Sequence, residues 1–337
     1  MRIDEFDYHL PDAAIAQTAI EPRDASRLLV ARTLEDRRFA DLPEVLRHGD
    51  LLVVNRTRVR AARLHGTKTD TGGKVELLLL RRLDERRWEA LIRPARRMRV
   101  GTKLRFDDID GAVLSNPVDG VVSVVLEAVD GDVDDLLPSR GEVPLPPYFH
   151  GSLGDPERYQ TLFAKTVGSA AAPTAALHFT PRLMSSLTNA GVTVAEIELD
   201  VGLDTFRPMS GETLADHRIH RERYVVPGDA ADAITATRNR GGRIVAVGTT
   251  VVRTLETAAA AASLGGSGHS DLFITPGYEF RLVDAMLTNF HAPRTTLIAL
   301  VAAALGPGWR HAYTAALARG YRFLSFGDAM FIDEVRS

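Results

Sequence analysis

Cysteine is absent from this 337-residue chain. Its absence removes disulfides, thiolate metal ligands, iron–sulfur clusters and a cysteine nucleophile in one step. It also suits a reducing cytosol. Long apolar runs are missing as well. The longest, residues 297–305, is about half of the roughly 20 residues that a membrane helix needs. The first residues carry no apolar h-region of a secretory leader, so the expectation is a cytoplasmic protein with no membrane partner. Neither a Gly-x-Gly-x-x-Gly fingerprint nor a P-loop Gly-Lys-Ser/Thr occurs, which disfavours dinucleotide oxidoreductases and common nucleoside triphosphatases. Low-complexity sequence is confined to an Ala/Gly/Ser stretch at 258–270, which reads as a helix end entering a flexible loop.

What is present fits a soluble globular chain. Apolar residues make up 45% and charged residues 25%. The length allows two domains, each with its own core. The net charge of −3 hides a strong asymmetry. Residues 56–105 hold sixteen Lys/Arg against five Asp/Glu, whereas residues 106–143 hold ten acids and one arginine. The basic stretch suits a polyanion, because phosphate attraction follows local potential. The alternative is that the two stretches decorate solvated strands and neutralise each other.

Hydrophobic patterning divides the chain. Asp50-Leu-Leu-Val-Val-Asn55 reads as a buried strand. Short β-rich runs follow at 75–80, 88–92, 103–106, 111–114 and 121–128, punctuated by Gly, Asp and Asn, as in a small barrel. The prolines of Pro144-Leu-Pro-Pro-Tyr148 mark an exit. Beyond them, helices expected at 182–190, 230–240, 251–262, 295–305 and 313–320 alternate with strands at 192–201, 243–247 and, last, 321–326. The fold class expected is therefore an α/β main domain, a sheet covered by helices, at 1–58 plus 148–337. A small β-barrel domain is inserted at 59–147.

Four constellations carry possible chemistry. Val245-Ala-Val-Gly-Thr-Thr250 is a strand ending in a turn that opens a helix, where Thr249 or Thr250 could cap and free N–H groups could meet a carboxylate, phosphate or ribose. Arg253 and Glu256 share a face of that helix, either as part of the site or as a surface ion pair. His178 and His291 each stand at a strand-to-helix junction, the edge where α/β sheets bind ligands. Asp200 and Asp204 flank a glycine, and Asp328 is expected as a carboxylate just after the terminal strand. His217 and His220 have metal-ligand spacing, but with no cysteine and no further acidic cluster nearby the expectation is no metal. From the residues alone the chain is an α/β enzyme with a basic β-domain and an anionic or nucleotide-like ligand.

The ordered set of motifs resembles the S-adenosylmethionine:tRNA ribosyltransferase-isomerases of queuosine biosynthesis over nearly the whole chain. It comprises residues 6–11, Gly49-Asp-Leu-Leu-Val-Val-Asn55 with Thr57-Arg-Val59, and Leu145-Pro-Pro-Tyr148. Tyr159-Gln160, Ala171-Ala-Pro-Thr174, Leu177-His-Phe179 and Asp216-His217 follow. Val247-Gly-Thr-Thr250 with Val252-Arg253, Thr288-Asn-Phe-His291 and Phe326-Gly-Asp-Ala-Met330 complete it. The resemblance implies an α/β domain with an inserted barrel and S-adenosylmethionine as substrate, with no cofactor and no metal. The acceptor it implies is an aminomethyl-deazaguanine at the wobble position of the tRNA anticodon region. His178, His291 and Asp328 are then candidates for acid–base work. Asn55, Thr57, Arg58, Thr174, Asp200, Asp204, Thr205, Phe206, His217, Gly248, Thr249, Thr250, Arg253 and Glu256 are candidates for substrate contact. Arg56 and Arg58, with the basic stretch, would meet tRNA phosphates. The sequence departs from the family pattern at four places: Asp200 for a histidine, Asp204 and Ala176 for glycines, and Arg56 for an asparagine. A different acceptor, or a non-catalytic RNA-binding role, is the alternative those departures leave.

Overall fold

The run Leu51–Asn55 is buried at every residue, as a strand covered on both faces requires. Side chains alternate across a strand. Leu51 and Val53 enter one core, and Leu52 and Val54 enter another. The neighbouring strand Ile244–Val247 divides in the same way, Ile244 and Ala246 to the first core, Val245 and Val247 to the second. The computed structural model describes residues 1–151, 153–202, 208–219, 221–261 and 263–335. It divides into two compact units, one of Met1–Arg58 with Pro146–Ser337, the other Val59–Leu145.

The larger unit is built on a nine-stranded mixed sheet. In spatial order its strands are Gly266–Ser270, Glu222–Val226, Thr193–Leu199, Leu51–Asn55, Ile244–Val247, Ala285–Asn289, Ala329–Ile332, Arg27–Val30 and Glu35–Arg38. Thr193–Leu199, Leu51–Asn55, Ile244–Val247 and Ala285–Asn289 run parallel, so their carboxyl ends share one edge. Ala329–Ile332 pairs antiparallel with Ala285–Asn289, which brings its amino end to the same edge. Helices Gly228–Asn239, Thr249–Ala260, Thr296–Leu305 and Gly308–Ala318 contribute to the core on one face, and Pro181–Asn189 to the core on the other. Thr296–Leu305 is buried from Ile298 onward on all sides, which explains its uniformly apolar sequence.

Two expectations fail here. Residues 321–326 are not a strand. Leu324 adopts φ +69°, which ends extended structure, and the terminal strand is Ala329–Ile332. Asp328 therefore precedes that strand rather than following it. The Ala/Gly/Ser stretch does not end in a free loop either: Gly266–Ser270 pairs antiparallel with Glu222–Val226 as the edge strand. Weak strand propensity is overridden there by a full register of partners.

The smaller unit is a closed six-stranded antiparallel barrel. Its strands, in order round the barrel, are Val121–Ala128, Arg87–Arg93, Lys74–Arg82, Arg63–Lys68, Lys103–Phe106 and Ile109–Val113. Alternate residues, among them Trp88, Ala90 and Ile92, fill its interior. Arg63–Lys68 carries no strand signal in the sequence, because all its residues but Leu64 are partly or fully exposed and mostly polar. The charge asymmetry closes on itself. Arg82 binds Asp132 at 2.5 Å and Asp134 at 2.7 Å, Arg140 binds Asp108 at 2.5 Å, and Arg86 binds Glu127 at 2.7 Å. Among the described residues, Arg96, Arg97, Arg99 and Lys103 form no ion pair.

Candidate active site

A cleft, partly open to solvent, lies at the shared carboxyl edge of the larger unit's parallel strands. Its apolar wall includes Ala172, Pro173, Ala175, Val201, Ala292, Leu297 and Leu324. Its polar wall includes Tyr148, Thr174, Thr249, Thr250, Thr288, Asn289, His291, Thr295 and Ser325. Among the described residues, no Asp, Glu, Lys or Arg side chain lines it. A ligand there meets neutral dipoles.

The strongest of those dipoles is the start of helix Thr249–Ala260. Gly248 is its N-cap, at φ +94° and ψ 154°, a conformation that favours glycine. No side chain caps the helix, so Thr249 and Thr250 are its first helical residues and not its caps, contrary to the sequence expectation. The first amides of a helix lack intrahelical acceptors and carry the positive end of the dipole. The Thr250 hydroxyl is buried and has no hydrogen-bond partner, an expensive state unless a ligand supplies one.

His291 follows strand Ala285–Asn289 and is 8% exposed. Its Nε2 lies 2.8 Å from Thr288 Oγ1, its amide donates to Tyr313 Oη at 3.0 Å, and its carbonyl accepts from Tyr8 Oη at 2.5 Å. The ring is thus held at Nε2, and the residue lines the cleft. Burial pulls its pKa down to about 3, so the imidazole is neutral at physiological pH.

His178 closes the short 3₁₀ turn Thr174–His178 and lies behind the cleft wall, lining a second, smaller pocket. Thr174 Oγ1 donates to Asn289 Oδ1 at 2.9 Å. Asn289 Nδ2 faces the carbonyl of Asp328 at 3.4 Å and His178 Nε2 at 3.2 Å. A carbonyl can only accept, so the amide nitrogen faces this side and His178 Nε2 accepts from it. The proton of His178 then sits on Nδ1, donated to Ser26 Oγ at 2.8 Å. Both ring nitrogens are occupied. Burial, and then the charges of Arg158 and Arg322, pull its pKa down to about 3. The Asp328 carboxylate is occupied too, accepting from the backbone N–H of Arg27 at 2.9 Å and of Arg322 at 2.8 Å.

Other candidates sit away from the cleft. Asn55 bridges parallel strands, donating to the Leu199 carbonyl at 2.9 Å while accepting from the Leu199 and Thr57 amides. Thr57 is buried, and its hydroxyl lacks a partner. Arg58 pairs with Glu157, and Arg56 with Glu198 at 2.7 Å. Asp200 turns toward Gly168, where a Cβ would lie 2.7 Å from its Oδ1, and stands 3.7 Å from Arg223. His217 accepts at Nδ1 from the Ser210 amide at 3.2 Å. Arg253 and Glu256 do not form a surface pair with each other. Arg253 binds buried Glu222 at 2.5 Å, and Glu222 also accepts from the Gly202 amide at 2.9 Å. Glu256 is 0% exposed and accepts from the amides of Arg281, Leu282 and Val283 and from Tyr278 Oη. Helix periodicity placed both residues on one face but could not show what covers that face. Asp204, Thr205, Phe206 and His220 lie outside the described residues. Among the described residues, no group of three or more His, Asp or Glu is arranged to hold a metal ion.

Comparison with known proteins adds a name to this geometry. The sequence pattern of the "Queuosine biosynthesis protein" family matches residues 3–332. The chain belongs to this family. It is 51% identical to the S-adenosylmethionine:tRNA ribosyltransferase-isomerase of Moorella thermoacetica and 50% identical to that of Symbiobacterium thermophilum. Each alignment covers 98% of this chain and all of the relative. The crystal structure of S-adenosylmethionine tRNA ribosyltransferase from Thermotoga maritima is similar at 40% identity, with a TM-score of 0.56, over 97% of this chain and 99% of that one.

In this member of the queuosine biosynthesis family, the sequence motifs supplied several residues that line the cleft, Thr174, Gly248, Thr249, Thr250 and His291, but not Tyr148, Thr288 or Asn289 as candidates. Tyr148 stood in the proline exit, yet its hydroxyl meets Ser325 Oγ at 2.5 Å on the cleft wall. Burial pushes that phenol up to about 12. Asn289 and Thr288 lay inside the motif that supplied His291. The signal that could have found them is the strand end: at a parallel sheet's carboxyl edge, the last strand residues face the crevice.

Proposed function

We propose that this chain is an S-adenosylmethionine:tRNA ribosyltransferase-isomerase. On this reading it moves the ribosyl group of S-adenosylmethionine onto 7-aminomethyl-7-deazaguanine in tRNA, with release of adenine and methionine. Family membership and near-complete relatives at about half identity support the reaction. The observation that carries the site is the uncapped helix start at Gly248, whose free amides and unpartnered Thr250 hydroxyl face a cleft without charged side chains. These groups suit the methionine carboxylate. A neutral cleft also suits a zwitterion, which brings its own opposite charges.

His291 is the base of this reading. With Nε2–H donated to Thr288, Nδ1 offers a lone pair to the ribose 5′ proton, acidified by the adjacent sulfonium. Tyr148, kept protonated by burial, is the donor on the wall for departing adenine. His178 and Asp328 act through Asn289, which holds Thr174 in the cleft, and are positioning residues. The tRNA anticodon region is the macromolecular partner, which places the reaction in the cytoplasm. Arg96, Arg97, Arg99 and Lys103 of the barrel, rather than the paired Arg56 and Arg58, are the cations to meet its phosphates.

The test is mass spectrometry after mixing the protein with S-adenosylmethionine and tRNA carrying the aminomethyl-deazaguanine base. Release of adenine and methionine with the matching mass gain on the tRNA is the result expected. A folded protein that releases neither, beside an active relative, overturns the reading and directs attention to another acceptor.

A further inference from the structure

Behind the cleft wall, a second, small pocket that opens to solvent is lined by Arg23, Arg158 and Arg322, with Ser26, His178 and Ser325. Ser325 lines the cleft as well, so the two spaces share a wall. Backbone carbonyls hold all three guanidinium groups in place. Arg23 donates to Gln160 O at 2.7 Å, Arg158 to Ile20 O at 2.7 Å, and Arg322 to Thr18 O at 2.9 Å and Phe326 O at 3.2 Å. Carbonyls orient a guanidinium without cancelling its charge. Glu21 pairs with Arg158, and the charges of Glu21, Asp155 and Glu157 reach Arg23, yet no carboxylate lines the pocket. The positive potential is felt by neighbours: burial and then Arg158 lower the Arg23 pKa, and Arg158 and Arg322 add to the burial that keeps His178 neutral.

We propose that this pocket seats a phosphate group, gripped by Arg23, Arg158 and Arg322 beside the Ser26 hydroxyl. Each guanidinium carries five N–H groups and spends only part of them on these partners, and N–H groups from three arginines around one pocket suit the several oxygens of a phosphate better than a lone carboxylate. An occupied pocket would also reach the cleft, because Ser26, His178, Asn289 and Thr174 form one unbroken hydrogen-bond chain from one space to the other. The phosphate could be a free phosphate or phosphomonoester, or a phosphodiester of a nucleic-acid backbone. The inference does not rest on the ribosyl-transfer reaction, and its test does not read turnover.

The test is nitrogen-15 NMR of the whole protein, following the His178 ring nitrogens and the Arg158 and Arg322 Nε–H signals during titration with inorganic phosphate. A saturable shift of these signals is expected, with affinity weakened by roughly tenfold or more in Arg158→Gln and in Arg322→Gln. Thermal melts check that each variant is folded, and either one suffices. A short oligoribonucleotide is added next. Displacement of phosphate from the same signals identifies a nucleic-acid backbone as the source, and signals indifferent to RNA identify a free phosphate or monoester. Signals that move with neither probe, or that titrate in both variants with the affinity of the unsubstituted protein, overturn the proposal.

Discussion

The barrel and the cleft differ in how they treat polar groups. The barrel carries a dense run of charge, yet most of it is matched within the same unit, arginine to aspartate or glutamate. The cleft is lined by no charged side chain among the described residues, yet it leaves a buried hydroxyl and the first amides of a helix unsatisfied. Charge density by itself therefore says little about where ligands bind, since exposed pairs satisfy each other at small net gain. Unmet hydrogen-bonding capacity is the better pointer, because burying it is unfavourable until something arrives.

Replacing cleft groups should accordingly matter more than replacing barrel charges. The largest effect is expected for His291→Ala, which should lower kcat by about 10² to 10⁴-fold, the usual share of a general base. Single-turnover release of adenine measures it, and a variant that turns over normally would remove His291 from the chemistry. Next comes acid sensitivity. His178 and His291 titrate near 3 when folded, against 6.5 for the ordinary side chain, so between those values the unfolded chain binds more protons. Stability is then complete above pH 6.5 and falls on acidification toward 3, by up to about 1.4 kcal/mol per pH unit for each histidine. Urea unfolding at stepped pH checks this, and His178→Gln should flatten the slope. Thr250→Val should reduce kcat/KM for S-adenosylmethionine about tenfold, through loss of one hydrogen bond, while the melting temperature of the free protein rises, because a buried unpartnered hydroxyl is removed. The smallest effect belongs to the barrel: Arg86→Gln, which breaks the exposed pair with Glu127, should change stability by less than about 0.5 kcal/mol in denaturant titration. A large loss there would undo the contrast.

Much of the fold could be read from pattern. The unalternating apolar run at Leu51–Asn55 and the helices that follow Gly and Pro signals report burial and backbone limits that belong to single residues. Arg63–Lys68 and Gly266–Ser270 could not be read that way, since each is a strand only by virtue of its partners. The site divides similarly. Gly248 and His291 stand where a strand end and a helix start announce a crevice. The partner of Arg253 lies 31 residues back in the chain, at Glu222, and no helical spacing encodes that distance. Tyr148 was hidden by its prolines, which advertise a linker more loudly than a phenol advertises a wall.

Glu256 has a consequence for motion. Its two carboxylate oxygens accept the amides of Arg281, Leu282 and Val283, three consecutive residues outside any helix or strand. Loop amides ordinarily exchange with solvent quickly. These three should exchange as slowly as sheet amides, because releasing any of them exposes a carboxylate that is otherwise sealed from water. Deuterium uptake at 281–283 therefore reports the opening of a single side-chain clasp, and Glu256→Gln should release all three amides together.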